Sequence, residues 1–187
     1  MELFKNIRLK IGEAFLAKKL AGQKRRKVFY SNISNVKKIG IVWDASRPAE
    51  FASLSRFFHK MSERNIEVRI LGYFPGKNLP DQYTAIRYLT CIKNDEINFF
   101  YEPVSSESNT FIRNRFDILI DINFNKLFPL YYISSLSKAG IKVGLSESET
   151  INTPFDLMIE MKNPVNIENY LNETLQYLEM IKEGKIK

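Results

Sequence analysis

The sequence predicts an α/β protein: a Rossmann-like three-layer sandwich around a mostly parallel sheet, preceded by a basic helix. Three observations predict it. Short runs rich in β-branched residues alternate with segments of helical period, the pattern of βαβ crossovers. The runs at 37–43, 116–122 and 141–145 are apolar nearly throughout, as strands covered on both faces should be. Charge is segregated: residues 1–38 hold 11 Lys and Arg against 2 Glu, a balance of +9, while residues 39–187 hold 17 against 19, a balance of −2. The chain therefore divides into a basic helical arm, residues 1–36, and a near-neutral α/β domain, residues 37–187.

The arm opens with a helix over 3–20. Leu3, Phe4, Ile7, Ile11 and Phe15 recur at helical spacing, while Leu9, Leu16 and Leu20 fall nearly opposite, so its amphipathicity is imperfect. Ala21-Gly22 ends it, and "KRRK" follows at 24–27. The first strand is "KKIGIVW", where Gly40 marks a close backbone approach. Pro48 suits a first helical turn, and Phe51, Leu54, Phe58 and Met61 carry that helix to about Arg64, with His59 on its polar side. Strands are expected at 66–74 and at "INFFYEP", 97–103, with 81–95 open between loop, short helix and strand. A short helix fits 106–114 and a strand 116–122. The next helix runs from Pro129 to a stop at Gly140, followed by strands at 141–145 and 155–161. A final helix buries Ile167, Tyr170, Leu171, Thr174, Leu175, Leu178 and Ile181 and stops at Gly184.

Composition removes several function classes. A single Cys91 excludes an internal disulfide and a thiolate zinc site, and its apolar setting reads as core. A lone His59 makes neither a metal centre nor a Ser-His-Asp set. "DASRPAEF" after the first strand has no glycine, so the dinucleotide fingerprint is missing, as is the P-loop motif. No cofactor is thereby indicated. No stretch of 18 apolar residues predicts a spanning helix, and the basic start lacks a secretory apolar core. The expected location is the cytoplasm, peripheral to a membrane or to nucleic acid where the arm engages one.

Open α/β sheets bind ligands beyond the carboxyl ends of their strands, where the strand order reverses. Two strands end alike here, "VWDAS" and "LIDIN". If they are neighbours, Asp44 and Asp121 flank one crevice, with Ser46, Arg47, Asn123 and Asn125 around it and Gly144 and Ser146 completing the rim. One reading is a pocket; the other is a strand tip meeting water, with Ser46 and Asn123 capping the following helices. Under a metal-dependent hydrolase or nuclease reading, Asp44 and Asp121 would share a magnesium ion. The arm offers a separate site. Lys18, Lys19, Lys24, Arg25, Arg26 and Lys27 form a cationic cluster suited to nucleic acid or an anionic membrane surface, or to solvation beside a helix packed on its own domain.

Two likenesses follow. "KKIGIVWDAS", "VRILGYF", "FDILIDINFNKLFPLYYISSLSKAGIKVGL" and "FDLMIEM", after a basic helix, resemble a small bacterial domain family of unknown function. That resemblance implies a fold and carries no activity. Residues 115–145 are also similar to the acceptor-side Rossmann domain of heptosyltransferase-like glycosyltransferases, in a strand ending at Asp, a helix, and a strand closing on Gly. This implies a transferase-like fragment working with a partner chain, because the second Rossmann domain such enzymes need has no room here. The leading expectation is a binding or scaffold protein whose arm contacts an anionic partner.

Overall fold

The computed structural model describes residues 2–146, 153–181 and 184–185. Six strands form one parallel sheet: β2 (Lys38–Asp44), β3 (Glu67–Phe74), β4 (Leu89–Lys93), β5 (Ile118–Ile122), β6 (Ile141–Leu145) and β7 (Leu157–Ile159). They lie in the order β4-β3-β2-β5-β6-β7. Numbered along the sheet's own course this is 3-2-1-4-5-6, the order of doubly wound nucleotide-binding folds, with its reversal between β2 and β5. Those two strands pair directly, Val42 opposite Asp121 and Trp43 opposite Ile122.

Alternation along the strands feeds two cores. Ile39, Ile41, Trp43, Ile118, Ile120 and Ile122 face α2 (Phe51–Glu63) and α5 (Ile167–Met180). Val42, Leu71, Leu119 and Ile92 face α3 (Ser106–Arg113) and α4 (Phe128–Leu136). The Rossmann-like sandwich is therefore as expected. Gly40 does admit a close neighbour: a Cβ there would lie 2.8 Å from the ring of Phe116.

The arm's helix, α1 (Glu2–Ala21), lies outside α4. Leu16 is 3% exposed among Phe128, Tyr132 and Leu136. Lys19 donates to Tyr132 Oη at 2.6 Å and pairs with Glu102 at 3.1 Å. Beyond the cationic run, β1 (Phe29–Tyr30) forms a two-stranded antiparallel ribbon with β8 (Gly184–Lys185). No helix of the described residues is long and apolar enough to cross a membrane.

Three local expectations need correction, and one open stretch is resolved. Residues 97–103 are not a strand but a tight loop, closed by an Ile97–Pro103 bridge and organised by Asn98, whose Oδ1 accepts from the N–H groups of Phe100 and Glu102. The edge strand is "LTCIK", Leu89–Lys93, inside the stretch left open. α4 stops at Leu136, and Gly140 is not its left-handed cap, because no glycine here has positive φ among the described residues. A Cβ at Gly140 would instead approach the Asp117 carbonyl to 2.8 Å. α5 ends at Met180, and Gly184 belongs to β8.

Candidate functional site

Asp44 and Asp121 stand on the same carboxyl edge of the same sheet, on adjacent strands and on one face. Each finds its own donors. Asp44 Oδ1 accepts from the Ser46 N–H at 3.0 Å and the Ser46 hydroxyl at 2.6 Å, and Oδ2 accepts from Asn125 Nδ2 at 2.6 Å. Arg47 joins this set, donating to Asn125 Oδ1 and Glu50 Oε1, both at 3.1 Å. Asp121 Oδ1 accepts from the Asn123 N–H at 2.7 Å, and its Oδ2 accepts from the Ser134 hydroxyl of α4. A metal bridging the two carboxylates would compete with Asn125 at one and with Ser134 at the other. No group of three or more His, Cys, Asp or Glu suited to a metal occurs among the described residues.

Neither polar tip caps a helix as expected. Ser46 closes a turn on Asp44, and α2 begins after Glu50 without a side-chain cap. Asn123 bonds both polar groups of the Leu127 backbone, its Oδ1 accepting from the N–H at 2.8 Å and its Nδ2 donating to the carbonyl at 2.9 Å. This closes the loop that leads into α4. Burial is the main perturbation at Asp121: desolvation raises its carboxyl to about 6, opposed by the bonds from Ser134 and Asn123.

Two openings flank these tips. A cavity of about 290 Å³ is lined by Asp121 and Asn123, by Phe124, Phe128 and Leu145, and by Phe155; α1 roofs it with Leu9 and Glu13. Gly144 makes room for the Phe155 ring, which a Cβ would collide with. On the other side of Phe124 and Lys126, Arg47 and Ser146 line a separate surface recess. The expected rim is thus divided between two hollows. Cys91, elsewhere in the sheet, is partly buried and packed against the core rather than within it, its pKa pushed up to about 12 by desolvation.

The larger opening is cationic. A cleft of about 850 Å³ is lined by Lys24, Arg25, Arg26 and Lys27 together with Arg115, Lys138 and Lys142, and no acid of the described residues lines it. Of the six arm cations named from sequence, Lys19 and Arg26 are held within the domain. Arg26 chelates Asp156 at 2.6 and 2.7 Å and donates to the Ala139 and Gly140 carbonyls at 2.9 and 2.8 Å. Lys18 is exposed but does not line the cleft, while Lys24, Arg25 and Lys27 are exposed in it. Lys142, on β6, is 3% exposed, and its Nζ donates to the Ser135 carbonyl at 2.8 Å. Desolvation, aided by the Arg26 charge and opposed by Asp156, lowers its ammonium to about 7. Beside it the buried Ser135 hydroxyl has no hydrogen-bond partner.

Sequence reasoning missed Arg115, Lys138, Lys142 and Ser135. One local signal existed: a lysine within "IKVGL", a strand covered on both faces, needs a reason to be there. The other three reach the cleft through tertiary folding alone. No curated protein matches the chain, so the likeness to heptosyltransferase-like glycosyltransferases rests on the 115–145 pattern and gains nothing further. Residues 8–181 match a family of unknown function (DUF6913), and the chain belongs to it.

Proposed function

We propose that this protein is a binding domain that recognises phosphate groups of an anionic partner through the cleft beside its basic arm. One observation carries the reading: seven cations from the arm, from α4's flank and from the sheet line a single cleft that no described acid lines. The two strand-end carboxylates, each already accepting protein hydrogen bonds on both oxygens, gather no comparable set of charges. Arg26 is paired with Asp156, but the remaining cations, with no acid in the described lining, hold a positive potential that phosphate relieves. Folding has spent Arg26 on Asp156, which fixes the run and leaves Lys24, Arg25 and Lys27 turned outward.

The test is salt-titrated binding of two phosphate-bearing partners, a single-stranded oligonucleotide and vesicles of anionic lipid, with neutral vesicles as reference. The unmutated chain should bind at least one of the anionic partners, and binding should weaken steeply with salt. The triple variant Lys24→Gln, Arg25→Gln, Lys27→Gln should lose most of it. For the oligonucleotide, the log–log salt slope should fall by roughly 0.7 for each phosphate contact removed. Equal binding by the variant, or equal affinity for neutral and anionic vesicles with none for the oligonucleotide, would overturn the reading.

A further inference from the structure

The apolar cavity and the cationic cleft are neighbours. Tyr131, Thr153 and Pro154 line both, so the two hollows meet at a shared wall beside α4. Their chemistry differs sharply across that wall. On one side stand Leu9, Phe124, Leu145 and Phe155; on the other stand the cationic run 24–27 and the buried Lys142. We infer that together they form one bipartite site for a phosphate-headed amphiphile, with the phosphate in the cleft and an apolar chain in the cavity. This rests on the reading of the cleft as a phosphate site and adds the identity of what the phosphate carries.

Three observations favour an amphiphile over a nucleotide chain. First, the cavity's lining is dominated by Leu9, Phe124, Phe128, Leu145 and Phe155, and its floor residues Asp121 and Asn123 already hold protein hydrogen bonds. A base needs partners for its edge, whereas an apolar chain needs none. Second, the cavity's charged residues are mixed, Glu13 and Asp121 beside Lys126, whereas those of the cleft are all basic, so a phosphate head is drawn to the cleft. Third, α1, which roofs the cavity, leaves Phe4 72% and Ile7 48% exposed beside its lysines. This exposed apolar surface on the roofing helix is open to an amphiphile's chain, though the helix lacks the segregated faces of a membrane-surface helix. The cavity is near the lower bound of small-ligand pockets, about 300 Å³, and fits one chain rather than several. On the phosphate side, Lys142 Nζ spends one of its three N–H donors on Ser135 O.

The experiment compares three ligands by calorimetry on the full chain: glycerol 3-phosphate, a short-chain lysophosphatidate below its micellar concentration, and the matching monoacylglycerol. An oligonucleotide serves as competitor. The lysophosphatidate should bind at least about tenfold tighter than glycerol 3-phosphate, since the added chain removes apolar surface from water, and the monoacylglycerol should bind weakly. Leu9→Gln, in the roof, should narrow that ratio without changing glycerol 3-phosphate affinity. The charge-neutral triple arm variant should weaken both phosphate ligands. Equal affinity for the two phosphates on the unmutated chain would overturn the amphiphile while leaving the phosphate cleft standing. An oligonucleotide that binds tighter and displaces the lysophosphatidate would also overturn it. Failure of both phosphates and of the anionic partners above would overturn the cleft itself.

Discussion

Asp121 and Lys142 are the two residues whose charge the fold tolerates at a cost. Asp121 lies among apolar neighbours, and burial lifts its carboxyl from 3.8 to about 6. Between those values the folded chain holds a proton that the unfolded chain has lost, so stability falls as pH rises through the window. Above pH 6 the cost is fully present. Asp121→Asn should keep the Asn123 bond through its carbonyl and give its amide to Ser134. It should therefore gain about 1–3 kcal/mol at pH 7 and nothing at pH 4. Urea unfolding followed by the fluorescence of Trp43, fully buried in the sheet, measures it. Lys142 has the opposite sign. Its ammonium falls from 10.5 to about 7, so the unfolded chain binds the extra proton between these values and stability rises with pH across them. The charged groups bearing on it are Arg26, which depresses it, and Asp156, which supports it. Lys142→Met should stabilise the fold by a few kcal/mol, very roughly, at pH 6, less the lost bond to Ser135, and by almost nothing near pH 11. The same denaturation at both pH values decides it.

Among the elements, α1 is the one whose attachment is narrow. Beside Leu16 it rests on Gly12, where a Cβ would run into the Phe100 carbonyl and the Phe128 ring. Backbone cannot move aside as a flexible side chain can. Gly12→Ala should lift α1 from α4 while leaving the sheet intact. Trypsin cleavage at Lys18 and Lys19 should accelerate by roughly tenfold or more, because local opening and global unfolding are separate processes. The stability reported by Trp43 should shift by less than about 1 kcal/mol, as the two main cores do not include α1. Unchanged proteolysis would mean the helix tolerates that contact. The edge strand β4 shows what element-level sequence reading loses. Leu89 and Ile92 are buried, while Thr90 and Cys91 are not, a five-residue pattern too short to separate from a turn of helix. "INFFYEP" has the aromatic content of a strand, yet Phe99 is 63% exposed and Asn98 folds the segment back on itself. Side-chain chemistry at one asparagine outweighed the propensity of its neighbours.

At the scale of the whole molecule, the sheet was legible because its central strands are apolar on both faces, and only a doubly covered sheet accounts for that. The adjacency of residues 37–43 and 116–122 was only a condition in the sequence, because crossover handedness does not fix strand order; the pairing in the sheet supplies it. The cleft was half legible. Its arm cations are consecutive in sequence, but Arg115, Lys138 and Lys142 come from separate segments that only the finished fold gathers. The cavity was hidden for another reason: Leu9, Phe124, Leu145 and Phe155 read in sequence like any core residues, and nothing local marks a side chain that faces a void. One last consequence lies in how the cationic run is suspended. Docked α1 precedes it, the β1–β8 ribbon follows it, and Arg26 clamps its middle to Asp156. Its conformational freedom is therefore surrendered during folding. A floppy basic tail gives up roughly 1–2 kcal/mol per residue each time it is ordered on a partner, and this run is spared that repeated loss.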